Sequence, residues 1–398
     1  MIWLSSSEQD WSKLGIDYLE KIKDKLELTP AIREYSQKII GNIDNEEEKI
    51  KAVINDVQSN YTYRAIEFGR RASIPNSCDV IIKNRYGDCK DHAILLHMLL
   101  KAISVESNLV LVNSDEENIK QSLPDMEQFN HMIVYLPRCK GGIFIDPTDK
   151  RIDSFNLIPT GLGGRQALIL DPQNISFKKI PGYEKGTNSI DIERTMIISS
   201  NRNPEIKETV RFKGNYAGFM RESLIYIDRA SYKEWIQGLY TEYLNSADID
   251  SFEVRNLSVN TEDLIFNIKY RLTDQRKDKG SSFTVRIPNV WEKYYLENEP
   301  VGARKTDFEI RYPFLIRSSL AIELHESFSV GASEGFTTNT EFGQSKSAFN
   351  KDNHLHLFNF SCEINNGSFK KEKYRDYVDY FNRVIDQSGP EMEILVKL

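Results

Sequence analysis

Arg85-Tyr86-Gly87-Asp88-Cys89-Lys90-Asp91-His92 runs directly into Ala93-Ile94-Leu95-Leu96-His97-Met98-Leu99-Leu100-Lys101-Ala102-Ile103, and the fold expected of the chain turns on this junction. The second stretch is apolar almost all round. A helix of that kind belongs in the middle of a domain rather than on its surface, so a central helix is predicted over Gly87 to Ile103. Gly87-Asp88 offers a tight approach and an N-cap, which puts Cys89 in the first turn. Free N–H groups and the positive end of the helix dipole stabilise a thiolate there. The position suits a nucleophilic cysteine; the alternative is a buried structural cysteine, the usual fate of the residue.

Upstream, three helical segments are expected. Asp10 to Leu26 carries Trp11, Leu14, Ile16, Leu19, Ile22 and Leu26 at helical spacing. A second runs from Thr29-Pro30, with Thr29 as cap and Pro30 in the first position, to about Ile40. A third spans about Glu46 to Ser59, with Ile50, Val53, Ile54 and Val57 on one stripe. Tyr61-Thr62-Tyr63 follows, then an irregular stretch containing Gly69 and Pro75. Downstream, strands are expected at Leu109 to Val112, His131 to Leu136 and Ile143 to Ile145, with a closing loop and strand over Ile158 to Leu170.

After about residue 180 the pattern changes to short alternating strands: Thr195–Ser199, Lys207–Phe212, Phe252–Val259, Leu264–Arg271, Ser282–Ile287, Ser319–Leu324 and Leu355–Ser361. Helical interludes fall near Ala217–Leu244 and Lys373–Ile385. This is a mostly antiparallel α+β arrangement without the rhythm of a doubly wound sheet. The expected boundary, near Gly182–Thr187, divides a core at 1–182 from a β-rich part at 183–398 of one or two subdomains.

The 398 residues are 40% hydrophobic and 28% charged, with a net charge of −7, and Lys and Arg are interspersed with Asp and Glu. That balance argues against a nucleic-acid or anionic-membrane binder, which needs clustered cations. No stretch approaches the ~18–20 apolar residues of a membrane span, and the N-terminus lacks the pattern of a signal peptide. Cys78, Cys89, Cys139 and Cys362 form no CxxC and no regular framework, so neither a disulfide scaffold nor a zinc site is expected. His92 and His97, five apart, lie on different helix faces, and His354 and His356 alternate on a strand as a solvent-facing pair. No metal and no cofactor is expected.

A nucleophilic cysteine needs a base and an orienting group. Phe129-Asn130-His131-Met132-Ile133-Val134-Tyr135-Leu136 reads as one strand, Gly142-Ile143-Phe144-Ile145-Asp146 as the next, and Pro137 to Gly141 as the turn between them. With Arg138 and Cys139 at the turn centre, His131 falls directly opposite Asp146, at a Cβ separation of roughly 4.5–5.5 Å. A carboxylate there can hold one imidazole nitrogen while the other faces the thiol. A slip of one residue would send Asp146 to the other sheet face. Taken singly, His131 is an ordinary strand histidine and Asp146 part of an Asp-Pro turn.

Tyr-Gly-Asp-Cys-Lys-Asp-His-Ala, Phe-Asn-His-Met-Ile-Val-Tyr-Leu-Pro and Phe-Ile-Asp-Pro-Thr, in that order, resemble the core blocks of bacterial transglutaminase-like proteins, whose fold is related to papain. Tyr61-Thr62-Tyr63, Pro75, Ile158-Pro159 and Gly164-Arg165-Gln166-Ala167-Leu168 fall in the same family order, so the resemblance covers about residues 10 to 175. It implies Cys89 as nucleophile, His131 as base and Asp146 as orienting carboxylate. Close relatives carry a β-rich domain on each side of the core, and many are exported. This chain begins near the core, at Trp3 to Trp11, which reads as a natural short form or as a piece of a longer exported protein. Residues 186–398 resemble the C-terminal β-rich part loosely, and no catalytic residue is carried over there.

The implied chemistry is thiol acyl transfer on a peptide or amide, with hydrolysis expected first. The alternatives are a cross-linking transglutaminase and a non-catalytic peptide-binding scaffold. The Cys89 backbone N–H would serve the oxyanion; Tyr63 and Tyr86 are candidates for a second donor, with ring packing as their other reading. The loop Ser114–Met126 would shape the pocket.

Overall fold

The computed structural model describes residues 10–65, 73–115, 119–200, 203–244, 247–273, 277–278, 281–297, 304–331, 334–352 and 355–397. The N-terminal tip, Gly69, residues 116–118 of the Ser114–Met126 loop and His354 lie outside them. The chain divides into two compact units, residues 1–183 and 184–398.

The first unit opens with α1 (Trp11–Lys21), α2 (Pro30–Ile40) and α3 (Glu46–Asn60). Asp10, Thr29 and Asn45 cap them through their side chains. The helix expected to reach Leu26 stops at Lys21, and a single 3₁₀ turn over Lys23–Lys25 follows. Buried Ile22 ends the one and begins the other. The stretch expected to be irregular contains more structure. Thr62–Tyr63 (β1) pairs in parallel with Tyr86–Gly87 (β2), and Cys78–Asn84 forms α4.

Next comes α5 (Cys89–Ala102), whose residues Ala93 to Leu96 and Met98 to Leu100 are fully buried. It packs on α2, α3 and α4 and on one face of a five-stranded antiparallel sheet. The strands of that sheet are β3 (Asn108–Val112), β4 (His131–Leu136), β5 (Ile143–Ile145), β6 (Gln166–Leu170) and β7 (Ser176–Lys179), in the order β5-β4-β3-β6-β7. A fully buried Leu or Ile is worth about 1.5–3 kcal/mol, so this helix is the hydrophobic axis of the unit. The opposite sheet face packs Val110, Ile133, Phe144 and Ile169 against Leu162 and Ile158 from the loop before β6.

The β4–β5 register departs from expectation. Leu136 pairs with Ile143, Tyr135 with Phe144 and Val134 with Ile145, so the turn centres on Cys139–Lys140 rather than Arg138–Cys139. Lys140, Gly141 and Gly142 all take positive φ, and Gly142 donates its N–H to the Cys139 carbonyl at 2.7 Å. A Cβ at Gly142 would collide with the Tyr135 hydroxyl. Continued by one residue, this register puts Asp146 opposite Ile133, so Asp146 and His131 are diagonal neighbours rather than opposite ones. The shift is even, and an even shift keeps both side chains on the same sheet face.

The second unit is built on an eight-stranded sheet from β8 (Ser189–Ile198), β9 (Glu205–Phe212), β10 (Ala247–Arg255), β11 (Leu264–Leu272), β15 (Phe314–Leu324), β17 (Phe336–Thr340), β18 (Gly343–Asp352) and β19 (Leu355–Ile364). Its order is β10-β11-β9-β8-β15-β19-β18-β17. All pairs are antiparallel except β8 with β15. The single helical interlude expected over Ala217–Leu244 is two helices, α6 (Asn215–Ile225) and α7 (Tyr232–Leu244). Two smaller sheets, β12 (Lys277–Asp278) with β13 (Ser282–Arg286), β21 (Glu391–Val396) and β16 (Phe328–Val330), and β14 (Phe308–Ile310) with β20 (Gly367–Phe369), complete it together with α8 (Val290–Leu296) and α9 (Tyr374–Ser388). Deep in its core Arg194 donates to Glu208 at 3.0 Å and, through both terminal nitrogens, to Glu292 at 3.0 Å each. The hydroxyls of Tyr240 and Tyr270 complete the coordination of Glu208, each at 2.9 Å.

Candidate active site

Cys89 is the first residue of α5, and the helix start is fully capped behind it. The Asp88 carboxylate accepts from the Lys90 and Asp91 amides at 3.0 and 3.2 Å, and the Asp91 carboxylate reaches back to the Asp88 amide. These reciprocal contacts satisfy three orphan donors. A Cβ at Gly87 would run into the Asp91 side chain, which is why the residue before the cap is glycine. Asp91 also accepts both amides of Asn76, and Lys90 pairs with Asp88 at 3.0 Å. The Cys89 amide is one of the donors that a helix start leaves without an intrahelical acceptor.

His131 stands at the start of β4, and its Nε2 lies 2.7 Å from Asp146 Oδ2. Diagonal strand neighbours have Cβ atoms about 7–8 Å apart, a gap that imidazole and carboxylate together can span. The other carboxylate oxygen, Oδ1, accepts from the Thr148 amide at 2.9 Å and its hydroxyl at 2.6 Å. Both oxygens of Asp146 are therefore committed, and the ring nitrogen left to face the sulfur is Nδ1. Burial by itself would lower the His131 pKa. The Asp146 charge and hydrogen bond, with hydrogen bonding and charge from Cys89, outweigh it and push the imidazole up from 6.5 to about 10. Burial likewise works against the Asp146 carboxylate, but His131 and Thr148 hold it below its usual range.

The structure thus brings Cys89, His131 and Asp146 into one cluster. Elsewhere in the chain, burial pushes the Cys78 and Cys362 thiols up to about 12 and raises Cys139. Tyr63 and Tyr86 pack as rings, Tyr63 against His92 and Tyr86 under the Arg64 guanidinium, at 6.2 and 4.6 Å. His92 is buried and its Nδ1 donates to the Asp88 carbonyl at 2.8 Å, while His97 bonds Ser107 at 2.9 Å and is lowered to about 4 by burial and Lys101. Among the described residues no cluster of His, Cys, Asp or Glu could hold a metal ion, and no helix is long and apolar enough to cross a membrane.

Sequence reasoning missed three neighbours of the cluster. Tyr18 of α1 is buried with its hydroxyl donating to the Ser73 carbonyl at 2.9 Å, and its phenol is raised by burial and then by Cys89 and Asp88. Gln58, at the end of α3, donates into the loop after β5. Thr148 was within reach, since Asp-Pro-Thr is the signature of an Asx turn. Tyr18 and Gln58 lie far upstream, and no local pattern marks them.

Residues 33–137 match the profile of the transglutaminase-like superfamily, and residues 283–393 match a domain family of unknown function that has a solved structure. No curated protein matches the sequence. A solved structure from Parabacteroides distasonis ATCC 8503, named a "putative protease", superposes with a TM-score of 0.58 at 10% identity over 96% of this chain. This chain spans 59% of that protein's length. A "putative cysteine protease" from Cytophaga hutchinsonii shares 20% identity over 32% of this chain and 42% of its own, with a TM-score of 0.23 that bears no argument about fold. The match over residues 33–137 lies on the helices and strands that present Cys89 and His131, and the fold there is transglutaminase-like.

Proposed function

We propose that the first unit is a thiol-dependent acyl-transfer enzyme that hydrolyses a peptide or amide bond with Cys89 as nucleophile, His131 as base and acid, and Asp146 as the orienting carboxylate. The observation that supports this most is the 2.7 Å bond from His131 Nε2 to Asp146, which frees Nδ1 for a sulfur at a helix start. An imidazolium held by a buried carboxylate favours the thiolate beside it. The sulfur attacks the carbonyl carbon, His131 gives its proton to the leaving amine, and a thioester remains. Water, deprotonated by His131, then cleaves the thioester and restores the thiolate. The Cys89 amide would donate to the oxyanion. The protease name of the P. distasonis protein, whose fold this chain shares, favours water over an amine as acceptor.

Incubation with a peptide-amide probe that carries a thiol-reactive group tests the reading. Labelling of the wild type but not of Cys89→Ala is expected. Equal labelling of both, or of neither, refutes it.

A further inference from the structure

The loop that carries Asp146 is held from behind by one side chain. Gln58 is buried, 1% exposed, at the end of α3. Its amide nitrogen lies 3.2 Å from the Asp146 carbonyl, 2.6 Å from the Asp149 carbonyl and 2.6 Å from Ser154 Oγ. Two of these partners are carbonyls, which only accept, so the orientation of the amide is settled: its nitrogen must face them. Asp146 to Asp149 is itself a tight turn, with the Asp149 amide donating to the Asp146 carbonyl at 3.2 Å and Pro147 in the second position, where its fixed φ suits such a turn. Gln58 therefore grips both ends of the turn and the hydroxyl of Ser154 beyond it. Its own oxygen is buried without a partner, an arrangement that costs free energy, while its two N–H groups are shared among the three acceptors, the 3.2 Å contact to the Asp146 carbonyl being the longest.

We infer that Gln58 is a positioning residue: by clamping the Asp146–Asp149 turn to α3, it fixes the carboxylate that orients His131. The inference rests on the proposed triad. β5 ends at Ile145, one residue before Asp146, so no strand pairing constrains the acid. The diagonal contact with His131 allows little backbone drift before the 2.7 Å bond is lost. Thr148 orients the carboxylate within the turn, and Gln58 orients the turn within the unit.

The test is Gln58→Met, which keeps volume and removes the donors, in the full chain. ¹⁵N-histidine NMR follows the imidazole whose signals vanish in His131→Gln, and iodoacetamide alkylation of Cys89 is timed at pH 6. An opposite charge at close range moves a pKa by roughly 1–3 units, so a fall of His131 by at least about one unit is expected, with alkylation slowed about tenfold. A folded variant that melts earlier but leaves both readouts at wild-type values overturns the inference, because a purely structural role predicts that result. If Gln58→Met does not fold, Ser154→Ala removes one of the three acceptors; a shift of the same sign is expected, and its absence overturns the inference as well. Failure of the triad itself is separable: it shows as unchanged probe labelling in Cys89→Ala, whatever Gln58 does.

Discussion

Replacing Asp146 by asparagine removes a charge while preserving the size of the side chain and an oxygen to accept from Thr148. In the wild type, burial depresses His131, and Asp146 followed by Cys89 reverses this, raising it from 6.5 to about 10. At about 1.4 kcal/mol per unit, that rise corresponds to about 5 kcal/mol, the upper end of the roughly 3–5 kcal/mol lost when a buried pair is left with one partner. The lowered Asp146 expresses the same interaction, so the energy is counted once. Without the carboxylate, burial is opposed only by Cys89, and His131 is expected to fall well below its wild-type value. The raised histidine contributes stability fully present below pH 6.5 and lost as pH rises through about 10. The lowered carboxyl contributes stability present above its ordinary 3.8 and lost as pH falls through its depressed value. The melting-temperature gap between wild type and Asp146→Asn should therefore be widest from about pH 4 to 6.5 and narrow toward pH 10. Calorimetry across that range, together with histidine NMR, measures both quantities. A gap independent of pH, or a variant in which His131 still titrates near 10, would refute the account.

Asp149, at the far end of the same turn, is raised to about 6 by burial and then by the Asp146 charge. Its folded form holds a proton more tightly than the unfolded chain, so its ionisation works against folding as pH rises from about 4 to 6. Asp149→Asn keeps an acceptor for the Thr160 amide and should stabilise the protein at pH 7 by up to about 3 kcal/mol, a gain absent at pH 4; thermal melts at the two pH values decide it. In the second unit, Arg194→Met strands Glu208 and Glu292, both without exposed side-chain surface, and should cost about 3–5 kcal/mol in urea unfolding of the full chain. Replacing Arg194, Glu208 and Glu292 together by apolar residues of similar volume should recover most of that loss, and a single variant as stable as wild type would contradict the network's role.

Local chemistry made much of the first unit legible in the sequence. The all-round apolar run after Cys89 has no stable place except a domain centre, and Asp88 with Asp91 caps its start; both are short-range facts written in consecutive residues. The β4 and β5 strands and the shared face of His131 and Asp146 followed from period-two alternation, which survives any even error in register. The register itself did not. It depends on three consecutive positive-φ residues at Lys140, Gly141 and Gly142, and on the Tyr135 side chain lying so close to Gly142 that no Cβ fits there. Only the tertiary structure placed Tyr18 near the thiol and Gln58 behind the acid, because helices 71 and 88 residues away in sequence reach the site through packing that no spacing encodes. The buried Arg194 network is hidden for the same reason: its glutamates look like ordinary charges until strand and helix close over them. Cys89, His131 and Asp146 were nameable as a set from the sequence; the contacts of Gln58 with the turn that carries Asp146 appeared only in the fold.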